Sequence, residues 1–189
     1  MTKLIENTGV VLLNNVETAY DSVSEKLAEF ELLVVDMKNA WGALNEKAFA
    51  RQMEERSTDP DKLEDQNRAA RKQAGRRLSF LKLRYSVEIA VEKLLYDADE
   101  RLQPLVLRVK EILDEGRVED PRLAQIWKLN ALLAMKLLYS ARAACEDASL
   151  FIERSACINP ELRQTLNAEF ERVYKQDSPE DPLWTYLCR

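Results

Sequence analysis

The chain has 189 residues, 46% of them hydrophobic and 32% charged, with 28 cations against 33 acids and no histidine at all. That length and balance suit one core-forming domain. The missing histidine excludes imidazole general-base chemistry, the usual catalytic triads and most zinc sites. Only four glycines occur, which argues for long unbroken helices over strands and turns. No apolar run reaches the length of a membrane-spanning helix. The run from Gly9 to Leu13, closed by Asn14-Asn15, is too short for a signal-peptide core, so the expected location is cytoplasmic. Cys145, Cys157 and Cys188 have no metal-like spacing and read as one small core residue and two free thiols.

The first helix carries apolar residues at Leu13, Val16, Tyr20, Val23, Leu27, Phe30, Val34, Met37, Trp41, Leu44 and Ala48. The steps alternate between three and four, the rhythm of a coiled-coil seam. A start between Thr8 and Asn14 is expected, because Asn14 with Glu17 resembles a capping box, and the helix should run to about Arg56.

Ser57-Thr58-Asp59-Pro60 marks a turn in which Asp59 caps a second helix and Pro60 occupies its first position. The expected stripe passes through Leu63, Ala70, Ala74, Leu78, Leu81, Tyr85 and Ile89. A second stripe then takes over at Val87, Val91, Leu94, Ala98, Leu102, Leu105, Val109 and Ile112. Such a drift means that the buried face changes part-way along. Pro104 forces a kink or a restart near Glu100–Pro104, and Gly116 is placed as a left-handed C-terminal cap.

Asp120-Pro121 repeats the cap-and-proline start. The third helix has one seam at Leu123, Ile126, Leu133, Leu137, Ala144 and Phe151. Another runs through Trp127, Ala131, Ala134, Leu138, Ala141, Cys145, Ala148 and Ile152. Two adjacent seams make a broad apolar face, expected of the most central helix. The alanine-rich seam is the candidate homodimer surface. Asn159-Pro160 begins a last helix that fades at about Lys175. Short connections make neighbouring helices antiparallel. The fold expected is therefore all-α, an elongated antiparallel three- to four-helix bundle with coiled-coil-like long helices over residues 1–176. Residues 177–189 form an acidic linker and an aromatic tail.

Arg68, Arg71, Lys72, Arg76, Arg77, Lys82 and Arg84 make the sharpest charge feature, with no acid among them. Arg68, Arg71, Lys72, Arg76 and Lys82 share one sector of the helical wheel, with Leu83 inside it and Phe80 near its edge. One reading has the first helix neutralise this sector through Asp36, Glu46, Glu54 and Glu55. The other has it meet an anionic membrane, an acidic protein or, less readily in so acidic a chain, nucleic acid. Arg76-Arg77-Leu78-Ser79-Phe80 also matches a basophilic kinase target, a pattern that arises often by chance.

Leu183, Trp184, Tyr186 and Leu187 follow the acidic linker, either covering the open end of the bundle or docking on another protein. The carboxylates fall on solvent faces in no metal-binding pattern, and the glycine loops and nucleophile elbows of catalytic sites are missing. No cofactor, metal or small-molecule substrate is expected. The function expected is a non-enzymatic helical interaction or scaffold protein, self-associating. The alternative is a peripheral protein that binds anionic lipid through the basic face of residues 68–84.

Overall fold

A computed structural model of the chain describes residues 2–44 and 59–156. Nearly all of these are helical, and there is no strand among them. The elements are α1 (Thr2–Leu44), α2 (Pro60–Tyr96), a π-helical turn (Asp97–Leu102), α3 (Gln103–Asp114) and α4 (Pro121–Ala156). The continuation of α1 to Arg56, the turn at Ser57-Thr58 and the helix after Pro160 lie outside the described residues.

Local chemistry sets most boundaries. The Asp59 carboxylate accepts the Asp61 N–H at 3.2 Å, and its carbonyl accepts the Leu63 N–H. Asp120 repeats this with the Arg122 N–H at 2.8 Å and the Ala124 N–H at 2.9 Å. Both satisfy helix N–H groups that would otherwise lack partners. Gly116 has φ +64°. Its N–H donates to the Leu113 carbonyl while the Arg117 N–H donates to that of Ile112, the paired closure of a left-handed helix end. α1 departs from expectation. It is already helical at Thr2, and the Asn14 carbonyl accepts the Thr18 hydroxyl inside the helix, so Asn14 caps nothing.

Pro104 falls in the first turn of α3, where α-helix resumes within the expected Glu100–Pro104 stretch. The backbone widens into a π turn in which the Gln103 N–H donates to the Ala98 carbonyl, five residues back. Proline lacks an N–H and clashes with the carbonyl four residues behind it. The wider turn just ahead of it relieves both demands. It also accounts for the drifting stripe. Leu94, Ala98, Leu102 and Val106 are all buried although each step is four residues. In a continuous α-helix that spacing would rotate off the core.

The chain divides into two compact units. In the first, residues up to Leu32 with Ile89–Ser149, the buried side chains include Val16, Val23, Leu27 and Phe30 of α1, with Leu94, Leu102, Val106 and Val109. α4 adds Trp127, Ala131, Ala134, Leu138, Ala141, Cys145 and Ala148. The second unit, Leu33–Glu88 with the residues from Leu150 onward, buries Val34, Met37, Leu44, Phe80, Val87 and Ile152. There the Trp41 and Phe80 rings lie 5.1 Å apart, Lys38 sits over the Phe151 ring at 5.6 Å, and the Gln73 amide donates to the Leu44 carbonyl. Ala48 lies outside the described residues.

The expected stripe of α2 needs correction. Leu63, Ala70, Ala74, Leu78, Leu81, Tyr85 and Ile89 are only half-buried. The inward line runs instead through Gln73, Arg77 and Phe80. Two of those three are polar, which hid the line from any count of apolar residues.

Candidate interaction sites

The seven basic candidates separate once α2 is built. Arg68, Arg71, Lys72, Arg76 and Lys82 are exposed on one side of the helix. Arg77 is 7% exposed and points inward, and Arg84 is half-buried with its guanidinium 3.2 Å from Glu88. Neither belongs to the basic face. The cause is rotation. Phe80, expected at the edge of that face, is a core residue with 1% exposure, and Arg77 lies three residues before it on the same side.

Arg68 is partly neutralised by its own helix, 3.6 Å from Glu64 and 3.8 Å from Asp65. Among the described residues Arg71, Lys72, Arg76 and Lys82 make no ion pair, and Asp36 makes none with them. Glu46, Glu54 and Glu55 lie outside the described residues. The Ser79 hydroxyl is 3.2 Å from the Gly75 carbonyl inside continuous helix. With Arg77 and Phe80 buried beside it, the kinase-like pattern is not offered as an extended segment. Leu183, Trp184, Tyr186 and Leu187, with Cys157 and Cys188, lie outside the described residues.

α4 reverses the expectation for its two seams. The alanine-rich line from Trp127 to Ile152 is buried throughout, so it is taken up within the chain and is not the free face. Of the other seam, Leu123, Ile126 and Leu133 are exposed, whereas Leu137, Ala144 and Phe151 are half-buried. Ile126 (54%), Leu129 (56%), Leu132 (55%), Leu133 (46%) and Tyr139 (63%) all face solvent. An open cleft of about 490 Å³ runs along this side, lined by Leu132, Met135, Lys136, Tyr139, Ser140 and Ala143. Contiguous apolar residues on a helix surface mark interaction sites more often than scattered ones do.

The π turn gathers a polar cluster that the sequence reading missed. The Asp97 side chain, 3% exposed, accepts the Lys26 ammonium and lies 3.3 Å from Arg101. Arg101 also stacks over the Tyr96 ring at 5.5 Å. On the other side Arg142 donates to Asp99 at 2.6 and 2.9 Å and to the Gln103 side-chain carbonyl at 2.6 Å. The expectation that carboxylates lie on solvent faces therefore fails at Asp97. The signal available was an acid between Leu94 and Leu102, at a position that a wide turn carries inward. Glu92, Lys93 and Tyr96 complete a shallow cleft of about 450 Å³ beside Lys26. Lys26 and Arg101 share the Asp97 carboxylate there, whereas Glu92 and Lys93 make no ion pair among the described residues.

The Cys145 thiol is pushed up from 9.0 to about 11 by burial and, secondarily, by the negative charge of Asp99. It is therefore a protonated core residue, unsuited to nucleophilic chemistry. Among the described residues no group of three or more cysteine or acidic side chains is placed to hold a metal ion. No helix among them is long and apolar enough to cross a membrane. No family model, no curated protein and no solved structure matches the chain.

Proposed function

We propose that this chain is a non-enzymatic helical interaction protein that self-associates, with the outer side of α4 as its contact surface. The observation that carries the reading is the exposed row Ile126, Leu129, Leu132 and Leu133, four large aliphatic side chains within two turns of one helix. An antiparallel bundle with coiled-coil-like helices is the architecture that goes with it. Within the second unit, Trp41 meets Phe80 while Leu44, further along α1, meets Gln73, earlier in α2. That reversal supports an antiparallel course there.

Light scattering on a sizing column, over a range of protein concentrations, tests the reading. The expected mass is a multiple of 21.8 kDa at high concentration, returning to the monomer in a Leu129→Gln/Leu133→Gln variant. A wild-type monomer at every concentration overturns it.

One observation favours a second reading, attachment to anionic lipid. Arg71, Lys72, Arg76 and Lys82 form an exposed strip with no ion pair among the described residues. A polybasic strip gains about 1 kcal/mol per cation near an anionic surface. Co-flotation with phosphatidylserine vesicles at low salt, lost on Arg71→Gln/Lys72→Gln/Arg76→Gln, is the expected result. No flotation of the wild-type chain would exclude it. Nucleic-acid binding would show itself as a steep salt dependence in a shift assay.

A further inference from the structure

Resting on the self-association reading, we infer that the outer side of α4 takes a second copy of the same helix, running antiparallel. The exposed positions Arg122, Ile126, Leu129, Leu133, Lys136, Ser140, Ala143 and Asp147 follow each other in steps of four and three, the spacing of a helix-packing seam. This seam is complementary to itself only when reversed. In one antiparallel register, with the two-fold axis between positions 134 and 135, Arg122 of each copy stands opposite Asp147 of the other. Neither side chain has an ion-pair partner among the described residues of its own chain.

Size matches in the same register. Ile126 falls opposite Ala143, and Leu129 opposite Ser140. Each pairs a large side chain with a small one, as interdigitated packing requires. Ser140 and Ala143 are also walls of the open cleft on this side of α4, so the partner's aliphatic side chains have a recess to enter. Near the axis Leu133 meets Lys136, whose methylene stem can lie along it while the ammonium stays in water. A parallel pair has none of these advantages. It sets Arg122 against Arg122, Lys136 against Lys136 and Asp147 against Asp147. From Arg122 to Asp147 the seam is roughly 38 Å long. One helix face of that length sits at the lower end of specific interface sizes, so the dimer should be reversible and concentration-dependent.

Thiol cross-linking in the full-length chain tests the arrangement. Cys157→Ser and Cys188→Ser remove the native cysteines outside the described residues, and Cys145 stays as a buried, protonated thiol. Leu129→Cys and Ser140→Cys are then introduced separately. Under mild oxidation the mixture of the two should give a disulfide-linked dimer far more readily than either alone. Position 129 faces 140 across the interface and stands roughly 16 Å along the axis from its own counterpart. Efficient linkage of Leu129→Cys to itself overturns the antiparallel register while leaving self-association intact. A dimer by mass with no linkage at either position moves the contact off α4 and overturns the inference. A monomer at every concentration overturns inference and reading together. As an independent check, Arg122→Asp should raise the dimer dissociation constant roughly fivefold, and Asp147→Arg in the same chain should restore it. A double variant no tighter than the single one counts against the pairing.

Discussion

The Lys26 ammonium of α1 meets the Asp97 carboxylate, 71 residues later and at the first position of the π turn. The two ends of this bond are unequal. Lys26 is 40% exposed and Asp97 only 3%. Breaking it from the lysine side leaves a buried carboxylate with Arg101 as its remaining charge partner, whereas breaking it from the aspartate side frees a lysine that can turn into water.

Lys26→Met should therefore cost more than Asp97→Asn, roughly 2–3 kcal/mol against about 1 kcal/mol. Urea denaturation of the two variants checks the order. Equal losses, or the reverse order, would mean that the π turn is held elsewhere.

The rotation of α2 makes a second prediction. Phe80→Ala empties a fully buried site beside Trp41 and should cost about 3–4 kcal/mol. Leu81→Ala, on the half-buried side, should cost about 1 kcal/mol. A larger loss at Leu81 would restore the stripe read from the apolar spacing.

Two glycines should respond in opposite directions to alanine. Gly116 holds φ +64°, and Gly116→Ala should cost about 1 kcal/mol in stability. Gly75 lies inside α2, and a Cβ there meets nothing within 4 Å. Gly75→Ala should add about 0.5–1 kcal/mol. The thermal midpoints of the two variants, one below and one above wild type, provide the check.

Cys145 links stability to alkaline pH. Folding raises its pKa from 9.0 to about 11, so its contribution is full below pH 9 and is lost as the pH climbs towards 11. Over that window the unfolded chain releases a proton that the folded chain keeps. The stability of the wild type relative to Cys145→Ala should thus fall between pH 9 and 11 and stay level below 9. A flat difference across the window would mean that Cys145 gains no protection on folding.

The described helices, and their ends at Pro60, Gly116 and Pro121, were legible because the interactions that make them are local, whereas the start of α1 was placed too late. Asp59-Pro60 and Asp120-Pro121 cap, Gly116 turns left-handed, and the unbroken three-four rhythm of α1 marks its buried side whatever lies opposite. The same reading failed where an apolar side is defined only by its neighbour. α4 has two seams of comparable hydrophobicity, and nothing in the order of its residues says which one faces in. In the fold Ala131, Ala134, Ala141 and Ala148 are buried together with Leu138, while Leu129, Leu132 and Leu133 are left outside. The burial of Gln73, Arg77 and Asp97 escaped notice for a related reason. A polar residue counts against burial in a sequence, yet Gln73 reaches the Leu44 carbonyl and Asp97 the Lys26 ammonium, both tens of residues away. Pro104 announced a disturbance of the helix without showing its form. The sequence by itself determined the helical character of the described segments, the starts at Pro60 and Pro121 and the stop at Gly116. The choice of buried seam, the rotation of α2 and the partners of the inward polar groups were decided by tertiary structure alone, because each depends on atoms that only folding brings within reach.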